Sequence, residues 1–464
     1  MWTIAQNMMM CIFASTRKGK RRIRGWTLAS STSTKGIPTM DARRALPSAL
    51  TPRRVVILLG IMLMACFSAR GAQAAVYYVA TTGSGTTCSL AAPCGSIPVG
   101  IGKLSAGDTL YLRQGIYADV LIDTSVPSGT SWANAVTISG YPGETVTLLR
   151  GNIKLFGGAS TAYVVFHNLS LDCAGTECQI YLMAPVHHIR FDTVEIKNST
   201  TSSSGAGMIA GNAPYIEFLR MKVHNAGNGN CSVHSNQGCY GFYVNGHHLL
   251  FDGLEVYDNG GNGLTLYHSG GTDVTDNIVR NSIFYNNGFN DARGLAGNGL
   301  ILTSGARNTA YNNIVYGNRG SGISVNYYCD NCGVYNNTAY NNVGFGIEVG
   351  GSTGVIVRNN ISYQNGSGAV SNQLVDWQGN VTQDHNLLAI PPLFTNAGAA
   401  DFTLQAGSPA IDAGMALSAV TTDLRGLSRL QKAAYDIGAY MYGGTAGPGP
   451  LPRPTALRVL SVAP

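Results

Sequence analysis

Residues 311–325 read Tyr311-Asn312-Asn313-Ile314-Val315-Tyr316-Gly317-Asn318-Arg319-Gly320-Ser321-Gly322-Ile323-Ser324-Val325, and 24 residues later the pattern returns as Tyr335-Asn336-Asn337-Thr338-Ala339-Tyr340-Asn341-Asn342-Val343-Gly344-Phe345-Gly346-Ile347-Glu348-Val349. Its first half recurs at Phe251-Asp252-Gly253-Leu254-Glu255-Val256 and Val357-Arg358-Asn359-Asn360-Ile361. The second half recurs at Gly261-Asn262-Gly263-Leu264-Thr265-Leu266 and Gly297-Asn298-Gly299-Leu300-Ile301-Leu302. Anchored on Leu169, Val194, Met221, Leu254, Ile283, Ile314, Thr338 and Ile361, the unit repeats at 25, 27, 33, 29, 31, 24 and 23 residues. Periods of this size mark a solenoid; the shortest are the bare repeat and the longer ones carry loop insertions. Alternation inside each unit has period two, so the units are short strands, not helices. Gly and Asn at the corners tolerate the left-handed backbone of a sharp bend. Asn recurring at one corner predicts a hydrogen-bonded ladder, and each strand is expected to pair in parallel with its equivalent one turn on.

Composition agrees. The 464 residues include 59 Gly and only 12 % charged side chains, which argues against a coiled coil or a helix-rich enzyme. The formal charge of +6 is unevenly placed. Residues 1–74 carry 12 Lys+Arg and one Asp, giving +11, whereas residues 75–464 carry 18 Lys+Arg and 23 Asp+Glu, giving −5. A basic nucleic-acid binder is thereby excluded. Arg53 and Arg54 precede the apolar run Val55 to Ala65, and Ala72-Gln73-Ala74 follows as a small-x-small cleavage pattern. This reads as a secretory signal peptide, too short for a membrane span. Leu63-Met64-Ala65-Cys66 offers a lipoprotein-type anchor as the alternative, and Met40 an alternative start. The protein is therefore expected to be secreted, periplasmic or on the cell surface. After the leader, cysteines fall in close pairs, Cys88 and Cys94, Cys173 and Cys178, Cys231 and Cys239, Cys329 and Cys332, which in an oxidising compartment predicts loop-stapling disulfides. Cys329-Asp-Asn-Cys332 would otherwise be half a zinc site or a redox motif, but no second pair or His stands at matching spacing.

The Gly-x-Gly-(Ile/Leu)-x-(Leu/Val) and Asn-Asn-(Ile/Thr) repeats resemble the right-handed parallel β-helix repeats of the pectate-lyase-like superfamily. Tyr77-Tyr78-Val79-Ala80 and the run Gly107 to Tyr117 resemble the first coil and cap of such proteins. Phe402-Thr403-Leu404, the run Gly407 to Gly414 and Tyr435 to Tyr440 resemble their C-terminal coil. The resemblance spans 76–442 and implies an all-β, single-stranded right-handed parallel β-helix, monomeric and engaging extracellular polysaccharide. The expected organisation is a leader (1–74), an N-terminal cap and first coils (75–162), repeats (163–370), C-terminal coils (371–442) and a Gly/Pro-rich tail (443–464).

Two connectors between the half-units are long, 225–240 and 287–298, where others such as 259–262, 318–320 and 342–345 are short. They leave the same edge on turns flanking the Leu254 turn, two turns apart or about 10 Å, making a trough for an extended glycan. With Val194, Met221 and Leu254 inward, alternation stacks Lys197, His224 and Tyr257 in one outward row and Glu195, Lys222 and Glu255 in another. Tyr243, Asn245, Thr265 and Tyr267 face outward from the other half-unit, and the long loops add His234, Asp291 and Arg293. β-Elimination of a uronate needs a base and a cation to neutralise the carboxylate. Lys197, Lys222, His224 and Tyr257 are the candidate bases and Arg293 the neutraliser. Tyr243, Tyr267, Asn245 and His234 are candidate sugar contacts, and Asp258 and Asp291 candidate calcium ligands. The Glu195-Lys222-Glu255 row is equally a solvated salt-bridge row of little energetic worth. His187, His188, His247 and His248 sit at corners, and Asp412, Asp423, Arg425 and Asp436 are expected to cap the last coil. The paired-Asp motifs of polygalacturonases and the Asp-Pro-His-Asp of mannuronan epimerases are absent from the chain. A polysaccharide lyase is thus the first expectation, a non-catalytic adhesion solenoid the alternative, and a hydrolase or epimerase a further one.

Overall fold

Alternating apolar residues leave every strand with one face that only a neighbouring turn can cover. In the computed structural model, which describes residues 74–443 apart from 157–159, 177, 200–205, 228–238, 269–270, 272, 289–296 and 432–433, successive turns supply that cover by parallel pairing. Each turn contributes three strands. A first face runs through Leu250–Asp252, Ile278–Arg280, Thr309–Tyr311 and Gly333–Tyr335. A second runs through Lys222–His224, Glu255–Tyr257, Ile283–Tyr285 and Ile314–Tyr316. The third runs through Tyr240–Val244, Leu264–Leu266, Leu300–Ala306 and Ile323–Asp330. Equal register puts equal residues above one another, so Phe166, Phe191, Phe218 and Phe251 stack through the core at 5.1, 6.1 and 4.7 Å.

Asparagine ladders form at two corners, where the sequence predicts one. Between the second and third faces, Asn259, Asn287, Asn318, Asn342 and Asn365 are linked Nδ2 to Oδ1 at 2.9 Å. Between the first and second faces, Asn313, Asn337, Asn360 and Asn386 are linked at 3.0 Å. Asn313, Asn337 and Asn360 are the second members of Asn-Asn pairs, and Asn386 follows His385. The first members, Asn312, Asn336 and Asn359, take left-handed φ of 55°, 50° and 60° and point outward. The second glycine of Gly-x-Gly departs from the expected reason for its presence. Gly299 is not in the left-handed region; a Cβ there would lie 2.2 Å from Val315 Cγ1 and 2.9 Å from the Asn318 amide. Space under the ladder, not conformation, demands glycine.

The C-terminal segment turns back along the second face. Phe402 and Ala439 pack with Ile283, Tyr285, Ile314 and Tyr316. The outward asparagines hold it: Asn312 Nδ2 donates to Thr422 O (2.7 Å), Asn336 Nδ2 to Asp436 O (3.1 Å) and Asn359 Nδ2 to Met415 O (2.7 Å). Asp436 accepts from Asp412 N at 2.8 Å and Asp423 from Met441 N at 3.0 Å, the closing role expected of this group. Cys88–Cys94, Cys173–Cys178 and Cys329–Cys332 are disulfides, so the last pair is not a half zinc site. Cys239 is also disulfide-bonded, while Cys231, residues 1–73 and residues 444–464 lie outside the described residues. Among the described residues no helix is long and apolar enough to cross a membrane.

Candidate functional site

The short connector 258–263 lies between the roots of the two long connectors. On one side Gly260 N donates to Ala226 O and Gly261 N to Cys239 O, both at 2.8 Å. On the other, Gly288 N donates to Asn259 O at 2.8 Å, and Gly297 N and Asn298 N donate to Asn262 Oδ1 at 2.7 and 2.9 Å. Asp258 is exposed between them, at a φ of 52°. The bodies of both connectors, with His234, Asp291 and Arg293, lie outside the described residues.

Second-face strands bring the charged residues into register. Lys197, His224 and Tyr257 are partners on successive turns, and so are Glu195, Lys222 and Glu255. These rows are less solvated than a surface row: His224 is 9 % exposed and Glu255 5 %. Glu195 accepts from His224 Nε2 at 3.2 Å, Lys197 Nζ at 2.6 Å and Ser170 Oγ at 2.7 Å. These donors, His224 foremost, hold its carboxyl well below the usual carboxylate range. A carboxylate only accepts, so His224 Nε2 carries the proton and Nδ1 is a buried nitrogen with no partner among the described residues. Lys222 Nζ lies 2.9 Å from Glu255 Oε2 as an ion pair without hydrogen-bond alignment, and Tyr285 donates to Glu255 Oε1 at 3.2 Å. His224, Tyr257, Tyr285 and Tyr316 stack at 4.5, 4.8 and 5.1 Å, because the inter-strand spacing matches ring stacking. Burial and the neighbouring carboxylates push the Tyr257 phenol up, which makes it a poor proton acceptor at neutral pH.

Beside Lys222 and Glu255 a cleft of about 450 Å³ separates the first corner, with Arg220 and Asp252, from the returning loop Thr422 to Gly426. Three cations edge it. Arg220 pairs with Asp192, Lys222 with Glu255, and Arg425 with Asp423 at 3.1 Å. Sequence reasoning assigned Arg425 to the cap and passed over Arg220. Nothing local signals their meeting, because the loop arrives about 200 residues later in the chain.

Across the connector, on the third face, Tyr240 and Tyr243 stack at 5.6 Å and Tyr267 lies 6.1 Å from Tyr243. Burial pushes the Tyr243 phenol up to about 12. Asn245 Oδ1 accepts from Asn212 N at 2.9 Å. The candidates thus fall into a charged group on the second face and a tyrosine group on the third, meeting at 258–263. Corner residues His188 and Tyr215 stack at 4.8 Å, and His248 lies 4.9 Å from Tyr215, so their ring faces are occupied. Among the described residues no group of three or more His, Cys, Asp or Glu is placed to hold a metal ion, and Asp291, the other candidate calcium ligand, lies outside them.

Residues 223–388 match the family described as right handed beta helix region. Among solved structures, pectate lyase Pel9A superposes with a TM-score of 0.60 at 18 % identity, over 80 % of this chain and 98 % of that one. Rhamnogalacturonan lyase superposes with a TM-score of 0.53 at 13 % identity, over 76 % and 99 %. No curated protein matches the sequence. At such identities the likeness speaks to fold. The repeating three-strand turn, the asparagine ladders, the matched family and these superpositions agree: the chain is a right-handed parallel β-helix protein of pectate-lyase-like fold.

Proposed function

We propose that the protein is an exported lyase that cleaves a uronate-containing polysaccharide by β-elimination, the glycan crossing the connector 258–263 between the two long loops. The observation that carries this reading is the flanking of that short connector by both long-connector roots, with tyrosines on one side and cations on the other. Tyr243 and Tyr267 would hold sugar on the third face. Arg220 and Arg425 would neutralise the uronate carboxylate, supporting the negative charge that develops as the adjacent carbon loses its proton. Lys222 is the proton acceptor, being the one candidate base that lines the cleft. A lysine accepts a proton only after giving one up, and Glu255 Oε2 at 2.9 Å is the recipient within reach. The C–H proton then moves to Nζ, the C4–O bond breaks as a C4–C5 double bond forms, and the departing O4 takes the proton that Glu255 received, which leaves Lys222 as ammonium and Glu255 as carboxylate again. The likeness in fold to two polysaccharide lyases supports the class of substrate.

The test is ultraviolet absorbance of the unsaturated uronate when the full chain meets pectate, alginate or glycosaminoglycan, with calcium or with chelator. Growth is expected with at least one substrate, and Lys222→Ala should cut the rate by about 10²- to 10⁴-fold. A flat trace with no new reducing ends overturns the lyase. A non-catalytic glycan-binding solenoid would then stand, a reading favoured by the three satisfied donors on Glu195.

A further inference from the structure

The three most exposed aromatic side chains among the described residues are neighbours. Tyr327, Tyr328 and Trp377 are 65 %, 70 % and 60 % exposed. They lie on the third face, where Val325, Val349 and Asp376 are register partners on three successive turns. The following residues on those turns are Asn326-Tyr327-Tyr328, Gly350-Gly351 and Trp377-Gln378. The trough turn, at Leu264–Leu266, stands four rungs earlier than the Trp377 rung, about 19 Å along the axis.

On the other faces aromatic residues at equal register stack, and each ring covers its neighbour. Here the middle turn carries two glycines after Val349, so no aromatic stands at equal register between the rings of the outer turns, about 10 Å apart; Phe345 of that turn meets the Trp377 ring edge-to-face at 5.8 Å and leaves the rest of it open. Glycine at 350 lets the Trp377 ring lie close over the backbone: a Cβ there would come to 3.0 Å from Cδ1 of that ring. The Trp377 side chain and the backbone that carries Tyr327 and Tyr328 are held by their surroundings. Trp377 Nε1 donates to Glu348 Oε1 at 3.0 Å. Tyr327 and Tyr328 both take left-handed φ, 47° and 66°, where the strand departs from regular register with its neighbour. Tyr328 N donates to Gly351 O at 2.8 Å, and the disulfide Cys329–Cys332 follows directly. A held Trp377 ring and a fixed tyrosine backbone leave less to lose in ordering on a ligand.

Ring faces open to water beside hydrogen-bond acceptors suit the C–H face of a pyranose, whose hydroxyls donate at the edges. The charge on these rungs decides which pyranose. Asp330, Glu348 and Asp376 are the ionisable acids and bases of residues 323–330, 347–353 and 374–378 apart from tyrosine and disulfide cysteine, and all three are acidic. A uronate would be repelled here, whereas an uncharged sugar would not.

We propose that Trp377, Tyr327 and Tyr328 form a platform for neutral pyranose residues, separate from the cation-edged trough. The proposal does not depend on cleavage and stands or falls by binding alone.

Calorimetric titration of the full chain tests it, with xylohexaose, β-1,4-galactohexaose and hexagalacturonate as probes. At least one neutral hexamer should bind. Trp377→Ala should weaken that binding by about tenfold or more, and Trp377→Phe, which keeps a ring, should restore most of it. Tyr327→Ala/Tyr328→Ala should weaken it as well. Circular dichroism of the alanine variants should match the parent, since the altered side chains are exposed. The proposal is overturned if neither neutral hexamer binds, if Trp377→Ala binds either one unchanged, or if hexagalacturonate is the ligand that loses affinity. It is also overturned if sedimentation shows a dimer that Trp377→Ala dissociates while no hexamer competes, since a second copy would then be the occupant. Loss of the lyase reading would leave every one of these outcomes interpretable.

Discussion

At the scale of the residue, Glu195 is the most informative side chain of the charged row. Its three donors depress its carboxyl in the folded state, with His224 the leading cause. A depressed carboxylate contributes stability that is fully present above the unfolded value, about 4.3, and is lost as pH falls towards the folded one. Glu195→Gln should therefore lower the thermal midpoint at pH 7 and do so progressively less below about pH 4. A midpoint difference that stays constant from pH 7 to pH 3 would refute that account. The removal of one accepting carboxylate is worth about 2 kcal/mol at neutral pH. The row itself was legible: alternation put Lys197, His224 and Tyr257 on one line, and Glu195, Lys222 and Glu255 on the other. Its burial was not, because a period-two pattern says which side of a strand a residue occupies and nothing about what later covers that side.

At the scale of the element, the Asn-Asn pair performs two tasks in adjacent positions. The inner asparagine satisfies backbone groups of neighbouring turns, and the outer one fastens a segment from the end of the chain. In the other ladder, Asn318 accepts from Asn287 N and Nδ2 and donates to Phe284 O and Asn342 Oδ1. Asn318→Ala should leave at least two of these buried groups unpaired, at about 1–3 kcal/mol each. The denaturation midpoint should drop, and the amide of Asn287 should lose hydrogen-exchange protection before its neighbours. Gly299→Ala should also destabilise, through collision with Val315 and Asn318, with no change in left-handed backbone content. Reading Gly and Asn as bend-formers found the corners. It did not reveal that the Gly-x-Gly spacing answers to the volume of a side chain across the turn.

At the scale of the molecule, the coils are local and the C-terminal segment is not. Arg429 is fully buried and donates to Thr422 O, Asp436 O, Gly438 O, Ala439 O and Asn312 Oδ1. Arg429→Ala should free this segment, at a cost of about 3–5 kcal/mol, and expose Tyr285 and Tyr316. Limited proteolysis should then cut first within 394–442; cleavage elsewhere at the parent's rate would refute the claim. The order of coils was plain from the repeat, but a contact between Asn312 and Arg429 has no periodic signature. The same returning segment has a bearing on how such a chain could lengthen during evolution. A coil gained or lost before Thr193 lies ahead of the cleft that the returning loop lines, so a whole repeat can be spliced there without moving that loop's partners. Between 283 and 363 the solenoid is measured against a partner of fixed length, so duplication of one coil would throw every clasp point beyond it out of alignment. Copy-number variation among descendants of this gene should therefore fall in the first part of the solenoid.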